Sequence, residues 1–288
     1  MPSTISQFAP VDTVLLAGSI NRIALFPGDQ PGYKALVELQ GKPLIAYVLD
    51  ALREAEGIGR IFVVGAPEVV EYASQWPEVS GIPDGHQLIR NAWRGLRAAT
   101  TERVLFCNPD QPLLRSEMVE DFLQRALPTE GDLISSWVRY EDLGLYVEGE
   151  HKFAKFGDGK YAHGNLFLVR KDLPHIERVR ERLDRIYQSR KNNLRFAWAL
   201  GPSLFGRFLF SLLLGKLPSL NETLEIGGNK FGINLKPVIC PYPEIALDID
   251  EPEDYAAAQR YLSDPSFVSS ALETAGIARE PTQQRATV

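Results

Sequence analysis

Cysteine and histidine are both scarce in this sequence of 288 residues. The two cysteines, Cys107 and Cys240, lie in apolar stretches, and the four histidines lack the spacing of metal ligands. Small folds held together by several disulfides are therefore excluded, and a zinc site built on cysteine is not expected.

Positive charge is also in short supply. Lysine and arginine total 31 against 37 aspartates and glutamates, which leaves a net charge of -6. A chain with this balance has no overall attraction for duplex nucleic acid or for an anionic membrane, so we expect no nucleic-acid partner. Single phosphate groups are still within its reach, because a few basic side chains and backbone N–H groups bind them whatever the net charge.

Long hydrophobic runs are nearly absent. The first ten residues, MPSTISQFAP, lack the basic and the apolar parts of a signal peptide. The apolar stretch 196–214 approaches the length of a membrane span, but a Gly-Pro pair interrupts it and Arg207 lies near its middle, where a charge is costly in lipid. We therefore predict a cytoplasmic protein with no membrane span. Three roles stay open for 196–214: core, homodimer interface or contact with a lipid-like acceptor.

Short apolar runs alternate with helical patterns in the first half of the chain. The runs at 13–17, 60–65 and 104–107 have the continuous apolar character of strands covered on both faces. Helices are predicted from residue 43, where proline suits a helix start, and over 67–75, 88–99 and 116–127. This alternation predicts an α/β protein with a doubly wound, mostly parallel sheet.

The second half is less regular. Strands are predicted over 132–140 and 236–241, a strand pair within 152–169, a charged helix over 176–190 and a closing helix over 252–262. We expect a single domain over residues 1–263, with a helical insertion at about 174–230 that serves as a cap. Residues 264–288 are expected to form a C-terminal tail.

Ligands of doubly wound sheets bind beyond the carboxyl ends of the strands, and the loop after the first strand is one candidate. Gly18 lets the backbone approach a phosphate, Ser19 and Asn21 can donate hydrogen bonds, and Arg22 and Lys34 supply positive charge. The loop has neither a Walker motif nor a GxGxxG fingerprint. From these residues alone, a plain turn with two exposed basic side chains explains the pattern equally well.

Two acidic segments are candidates for a metal site. Asp110 follows the third strand between two prolines, and its alternative role is a turn former or helix cap. Asp248 and Asp250 alternate along an extended segment, so both carboxylates face one side and could meet one metal ion. The competing explanation is helix capping, since Asp250 or Glu251 before Pro252 resembles a helix start. We expect one of the two carboxylates to cap and the other to be free for a ligand.

Five segments taken together carry a specific resemblance. They are LLAGS at 15–19, KALVELQGKPLIAYVLDAL at 34–52, DQPLL at 110–114, GNLFL at 164–168 and DIDEPEDY at 248–255. In this order they resemble the MobA-like NTP transferase family, whose Rossmann-like sheet is shared with GT-A glycosyltransferases. The chain departs from the family pattern at Ser19, which stands in place of a second glycine. Its arginine is also displaced to Arg22, and its loop up to Lys34 is longer.

The resemblance implies an Mg²⁺-dependent nucleotidyltransferase, which transfers an NMP from an NTP to a phosphorylated small-molecule acceptor and releases pyrophosphate. It implies catalytic roles for Lys34 and Arg22 and Mg²⁺ ligation by Asp110 with Asp248 or Asp250. The residues it assigns to the nucleotide are Leu16, Ala17, Gly18, Ser19, Asn21 and Asn91. The residues it assigns to the acceptor are Gly164, Asn165, Lys191 and Arg195.

Several of these assignments have a purely structural alternative. Asn91 lies in a segment that also has the pattern of a simple amphipathic helix, and Gly164 could mark a strand bulge. Two other functions stay open for the whole chain. One is a GT-A-type glycosyltransferase that uses an NDP-sugar through Asp248-Ile249-Asp250, and the other is a catalytically degenerate nucleotide-binding protein.

Overall fold

The computed structural model describes residues 8–29, 31–143, 153–173, 179–181 and 217–264. The strands are β1 (Val11–Ala17), β2 (Glu38–Leu39), β3 (Lys42–Pro43), β4 (Ile58–Gly65), β5 (Val79–Pro83), β6 (Arg103–Cys107), β7 (Leu133–Arg139), β8 (Phe153–Phe156), β9 (Gly159–Arg170) and β10 (Leu235–Ile239). The α-helices are α1 (Leu44–Glu54), α2 (Pro67–Ala73), α3 (Leu88–Ala98), α4 (Ser116–Ala126), α5 (Tyr140–Leu143), α6 (Leu220–Phe231) and α7 (Pro252–Ser263).

One mixed sheet organises the molecule, with strand order β10-β7-β9-β6-β1-β4-β5. β1 pairs in parallel with β4 and β6, and β4 pairs in parallel with β5. β9 runs antiparallel to β6, β7 and β8. The chain therefore moves outward from β1 through β4 to β5 and then returns to the other side of β1 as β6. This reversal creates a crevice between the carboxyl ends of β1 and β6, where ligands of such sheets bind.

Helices cover both faces of the sheet, which explains why β1 is apolar from Val14 to Ala17. Leu15 belongs to a core cluster that includes side chains of α1, α2 and α4. Its neighbour Val14 points to the other face and packs in a cluster with Leu96 of α3. Successive side chains of a strand alternate between faces, so a strand buried on both sides has no polar face.

The prediction of a doubly wound, mostly parallel α/β sheet is confirmed. Several elements were not predicted individually, among them β5, at the edge of the sheet, and α6, which lies at the end of the predicted helical insertion and packs against β10. Residues 34–36 form a 3-10 turn. The turn is closed by a hydrogen bond from the Val37 N–H to the Lys34 carbonyl oxygen.

Of the two residues considered for the start of the closing helix, Asp250 and Glu251, it is Glu251 that lies at the N-cap, in a capping box with Asp254. Neither Asp248 nor Asp250 caps the helix, contrary to the expectation that one of them would. The side chain of Asp254, in the first turn of α7, accepts hydrogen bonds from the N–H groups of Asp250 and Glu251. An acidic side chain of the helix itself therefore serves the start of α7. The carboxylates of Asp248 and Asp250 are therefore not used for capping and lie at the edge of the sheet.

Parts of the predicted insertion lie outside the described residues. These are most of the charged helix 176–190 and the whole apolar stretch 196–214. The domain boundaries at 263 and 174–230 accordingly stay predictions. In the portion of the chain that the structure describes, no helix is long and apolar enough to cross a membrane.

Candidate active site

Three carboxylates converge at the crevice between β1 and β6. Asp110 follows β6, whereas Asp248 and Asp250 come from the segment before α7, and one carboxylate oxygen of each lies within 4.8 Å of the others. The Ile249 N–H donates to the Asp110 carbonyl oxygen at 3.1 Å, which fastens the two segments together. Ile249 is buried among apolar side chains on the opposite side of its segment. The expected alternation therefore does bring Asp248 and Asp250 to one side.

Lys34 lies within the acidic cluster. Its Nζ is 2.6 Å from Asp110 Oδ2 and 2.6 Å from Asp250 Oδ1. The 3-10 turn that carries Lys34 is attached to the loop after β1, because the Lys34 N–H donates to the Ser19 carbonyl oxygen at 2.9 Å. Lys34 and Asp110 are both buried, so their charges attract each other strongly.

Burial and charge change the acidity of this cluster. Burial acts to lower the pKa of Lys34, but attraction to Asp110 and Asp250 outweighs it and holds that pKa above its usual range. Burial raises the pKa of Asp110, against the opposing effect of Lys34. For Asp248, burial and then the charges of Asp110 and Asp250 raise the pKa to about 7. Three acidic groups this close need positive charge to stay ionised together.

The oxygen atoms of the cluster fit a hard cation. Asp110 Oδ1 is buried and has no hydrogen-bond partner among the described residues, although Asp110 Oδ2 is paired with Lys34. A buried carboxylate oxygen is rarely left without a partner. Carboxylate oxygens are the ligands that Mg²⁺ prefers, commonly one or two of them together with substrate phosphates. The chemistry and spacing of these three side chains therefore suit the Mg²⁺ site expected from the sequence.

A cavity of about 880 Å³ opens beside the cluster, between the loop after β1 and the start of α3. Both predicted catalytic residues, Arg22 and Lys34, line it, and Asp250 lies at its acidic side. The predicted nucleotide-binding residues that line it are Leu16, Gly18, Ser19, Asn21 and Asn91. Ala17 ends β1 with its side chain fully buried in the core, so only its backbone is near this region.

The wall of the cavity opposite the loop contains a residue that sequence reasoning missed. Asp84 follows β5 and lines the cavity, with Asn91 beside it. Asn91 is buried; its Nδ2 donates to Asp84 Oδ1, and its Oδ1 accepts from the Gly85 N–H at 2.7 Å. These bonds hold Asp84 in place. Asp84 comes at the carboxyl end of a parallel strand, which is the signal that would have found it if β5 had been recognised.

Gly18 is required by this close assembly. A Cβ at Gly18 would lie 3.1 Å from Asp84 Oδ1 and 3.2 Å from Asn91 Nδ2. These separations are tighter than ordinary contacts, so a larger residue would push the loop away from the opposite wall. The glycine therefore brings the backbone at the end of β1 close to the polar residues across the cavity.

Gly164 and Asn165, the two described residues among those predicted for the acceptor, do not line the cavity. A Cβ at Gly164 would lie 2.2 Å from Ser136 Oγ, so close packing against β7 accounts for the glycine. The β7–β9 register shifts between Ser135 and Trp137, next to this contact. Asn165 Oδ1 accepts a hydrogen bond at 3.0 Å from the Nδ2 of Asn108, a residue that stands two positions before Asp110. Lys191 and Arg195 lie outside the described residues.

The sequence model of the MobA-like NTP transferase domain matches residues 13–193. The chain belongs to the MobA-like NTP transferase family. The resemblance found in the sequence is thereby confirmed. This match includes the loop after β1, Lys34 and Asp84, which line the cavity, and Asp110 of the acidic cluster, whereas Asp248 and Asp250 come from beyond it.

Two proteins that are similar in sequence agree with this family assignment. Bifunctional protein GlmU of Nitratidesulfovibrio vulgaris strain DP4 is 32% identical over 140 residues, 46% of this chain; the alignment spans only 29% of that protein's length. The 8-amino-3,8-dideoxy-manno-octulosonate cytidylyltransferase of Shewanella amazonensis is 24% identical, with 82% of this chain and 93% of that protein covered.

A solved structure supports the fold directly. The structure of a hypothetical transferase from Thermus thermophilus has a TM-score of 0.70 and 29% sequence identity, and the match covers 86% of this chain and 100% of that one. The Rossmann-like architecture expected for this family is therefore present in the chain.

Proposed function

We propose that the protein is an Mg²⁺-dependent nucleotidyltransferase that transfers an NMP from an NTP to a small-molecule acceptor. The observation that carries this proposal is the position of Lys34, whose Nζ contacts two of three clustered carboxylates at the side of the cavity. A positive group for the triphosphate and negative groups for the metal ion thus lie together. Membership of the family and the relative named as a cytidylyltransferase support the same activity.

In the proposed complex the NTP occupies the cavity of about 880 Å³. The loop after β1 faces the phosphates, because it offers backbone N–H groups at Gly18 and Ser19 and the guanidinium of Arg22. The nucleobase lies toward Asp84, which Asn91 holds in position. Asn91 therefore acts on the nucleotide through Asp84 in this proposal, rather than as a direct contact.

The reaction needs little proton transfer when the acceptor is a phosphate. An acceptor phosphate is largely ionised at pH 7, and one of its oxygens attacks the α-phosphorus of the NTP. A new phosphorus–oxygen bond forms while the bond from the α-phosphorus to the oxygen that bridges to the β-phosphate breaks, and pyrophosphate leaves. Lys34 and Arg22 stabilise the charge that accumulates on the leaving pyrophosphate.

The residues that would hold Mg²⁺ are Asp110 with Asp248 or Asp250. When bound, the ion would supply positive charge that helps to orient and neutralise the phosphates. Asp110 is held by the buried end of β6, and Ile249 fastens the second segment to it. The protein's own contribution is therefore to keep acidic oxygens from distant parts of the chain at one place, so that little reorganisation is needed on binding.

A pyrophosphate-release assay tests the proposal. The purified protein is incubated with Mg²⁺ and each of the four NTPs, alone and with pools of sugar phosphates, polyol phosphates and 2-keto sugar acids. We expect release that requires both one NTP and one acceptor. The sugar-acid pool is included because the relative from Shewanella amazonensis is named for such a substrate.

Two other results would redirect the assignment. Consumption of an NDP-sugar without any pyrophosphate would indicate a glycosyltransferase. Metal-dependent binding of an NTP without turnover of any acceptor pool would indicate a degenerate nucleotide-binding protein. Asp110→Asn is the matched inactive control, since the amide keeps the shape of the side chain and removes its charge.

A further inference from the structure

The loop after β1 is longer than the family pattern, and its two ends are paired. Ile20 and Tyr33 form an antiparallel bridge, and the Asn21 N–H donates to the Gly32 carbonyl oxygen at 2.8 Å. The Lys34 N–H donates to the Ser19 carbonyl oxygen directly behind this bridge. The position of Lys34 in the acidic cluster is therefore linked to the conformation of the loop segments 18–29 and 31–33.

Asp29 connects the beginning and the middle of this loop. Its Oδ2 accepts from Asn21 Nδ2 at 2.7 Å and from the Leu25 N–H at 2.9 Å. Asn21 is buried, so its amide is not free to move toward solvent. One carboxylate oxygen thus fixes the two residues that flank the turn 22–24, and Arg22 lies in that turn.

A second anchor ties the same loop to the metal side of the site. Leu25 is buried in a cluster with Ile249 and Tyr255, and the Phe26 ring stacks on the Tyr255 ring at 4.9 Å. Ile249 stands between the two acidic residues of its segment, and Tyr255 belongs to α7. The loop that carries Arg22 and the segment that carries Asp248 and Asp250 are therefore packed on one another.

The charge of Asp29 is unexpected in such a loop. The loop carries Arg22 into the cavity proposed for a triphosphate, and a nearby carboxylate repels phosphates. Its two hydrogen bonds give a reason for its presence, because a loop that is already ordered loses less conformational freedom when the ligand binds.

We propose that Asp29 is a positioning residue that pre-orders the loop after β1 and so holds Arg22 toward the phosphates of the NTP. This inference rests on the proposed function and deepens it. It concerns a residue that makes no contact with the reacting groups and acts through Asn21, Leu25 and Arg22.

The test compares Asp29→Ala with Asp29→Asn, because the asparagine carbonyl still accepts both hydrogen bonds and lacks the repelling charge. We expect Asp29→Ala to lower kcat/KM for the NTP about tenfold, a change typical of lost hydrogen bonds, through a higher KM and, because Arg22 also stabilises the leaving pyrophosphate, a lower kcat, with the acceptor KM almost unchanged. Asp29→Asn should bind the NTP at least as tightly as the unmodified protein. The affinity for the corresponding nucleoside monophosphate, which lacks the β- and γ-phosphates that Arg22 would contact, should stay the same in all three proteins.

A double-mutant cycle tests the route through Arg22. If Asp29 acts by placing Arg22, then Asp29→Ala adds little to the loss caused by Arg22→Met. Asp50→Ala is the matched control, since Asp50 is a surface aspartate of α1 that pairs with Lys42 and should leave every constant unchanged.

Several results would overturn the inference. Asp29→Ala could lower the melting temperature while the KM for the NTP stays at its normal value, which would make Asp29 a structural residue only. Equal losses for the mono- and triphosphate, or full additivity with Arg22→Met, would also contradict it. If the unmodified protein neither binds nor turns over any NTP, the proposed function itself fails, and that result is distinct from all of these.

Discussion

At the scale of single residues, Asp248 connects stability with pH. Its pKa is raised to about 7 in the folded protein, first by burial and then by Asp110 and Asp250, from an ordinary value of 3.8. The folded state therefore keeps a proton that the unfolded state releases. The resulting stabilisation is fully present below about pH 4 and is lost as the pH rises through 7.

Asp248→Asn provides the test of this pH dependence. Without metal, we expect the variant to resemble the unmodified protein at pH 4 and to become progressively more stable than it up to about pH 7, since in that range only the aspartate releases a proton on unfolding. Above that range the difference should level off. Urea unfolding in EDTA at several pH values measures it, and a difference that does not vary with pH would contradict the raised pKa.

Lys34 has the opposite effect on stability, because its positive charge compensates the negative charge of the buried carboxylates. Lys34→Met should abolish turnover and, without metal at pH 8, should lower the free energy of unfolding by on the order of 3 kcal/mol, since buried carboxylates lose their partner. Added Mg²⁺ should restore part of that stability by supplying another positive charge. Urea unfolding with and without Mg²⁺ makes the comparison.

Lys42→Met is the control for this prediction. Lys42 pairs with Asp50 where both side chains are more than one third exposed, so its loss should cost less than about 1 kcal/mol and leave turnover intact. Equal destabilisation by the two substitutions would show that the buried pairing of Lys34 is not important for folding.

At the scale of elements, the packing of α3 on β1 positions the wall of the cavity. A Cβ at Gly95 of α3 would lie 2.4 Å from Val14 Cγ1 of β1, whereas Asn91 of the same helix holds Asp84. We expect Gly95→Ala to push α3 outward, lower the free energy of unfolding by about 1–3 kcal/mol and weaken NTP binding. Thermal unfolding and nucleotide titration measure the two effects.

Two further variants test that explanation. Gly227 of α6 has its nearest heavy atom 3.9 Å from a built Cβ, so Gly227→Ala should instead stabilise the protein by roughly 0.5–1 kcal/mol, the usual preference of helices for alanine. Val14→Ala, added to Gly95→Ala, should recover NTP binding because it makes room for the new methyl group. Failure of that recovery would argue against a clash at this contact.

β5 and α6, which were not predicted individually, show what local sequence patterns can and cannot predict. Among the described residues, β5 pairs with β4 alone, at the edge of the sheet, and Ser80, Gly81 and Pro83 leave it without an apolar run. Edge strands have little buried surface, so they need no hydrophobic pattern. For α6 a signal was present: Ser219 and Glu222 form a capping box, in which the Glu222 N–H donates to Ser219 Oγ at 3.3 Å.

At the scale of the whole molecule, ligand binding should stabilise the fold by mass action. The site joins the loop after β1, the end of β6 and the segment before α7, so the bound state holds distant parts of the chain together. An NTP at 100 times its dissociation constant adds about 2.7 kcal/mol, which corresponds to several degrees in melting temperature. We expect Mg²⁺ and the NTP together to raise Tm more than the sum of their separate effects.

The variant Asp110→Asn separates this coupling from general salt effects. It should keep the fold and lose the extra stabilisation by the combined ligands, because it removes a carboxylate charge from the cluster. A purely additive response of the unmodified protein would count against a site shared by metal and nucleotide. Differential scanning fluorimetry of both proteins, with each ligand alone and with the two together, measures these melting temperatures.

Local sequence is enough to establish the alternation of strands and helices, the family, and the residue types that carry charge at the ends of strands. These follow from local hydrophobic periodicity and from motifs that lie within short stretches. The partner of each charged side chain was decided only by the tertiary structure. Lys34 and Asp250 are 216 positions apart, and they meet because packing on both faces of the sheet brings β1 beside β6. No local pattern contains that strand order.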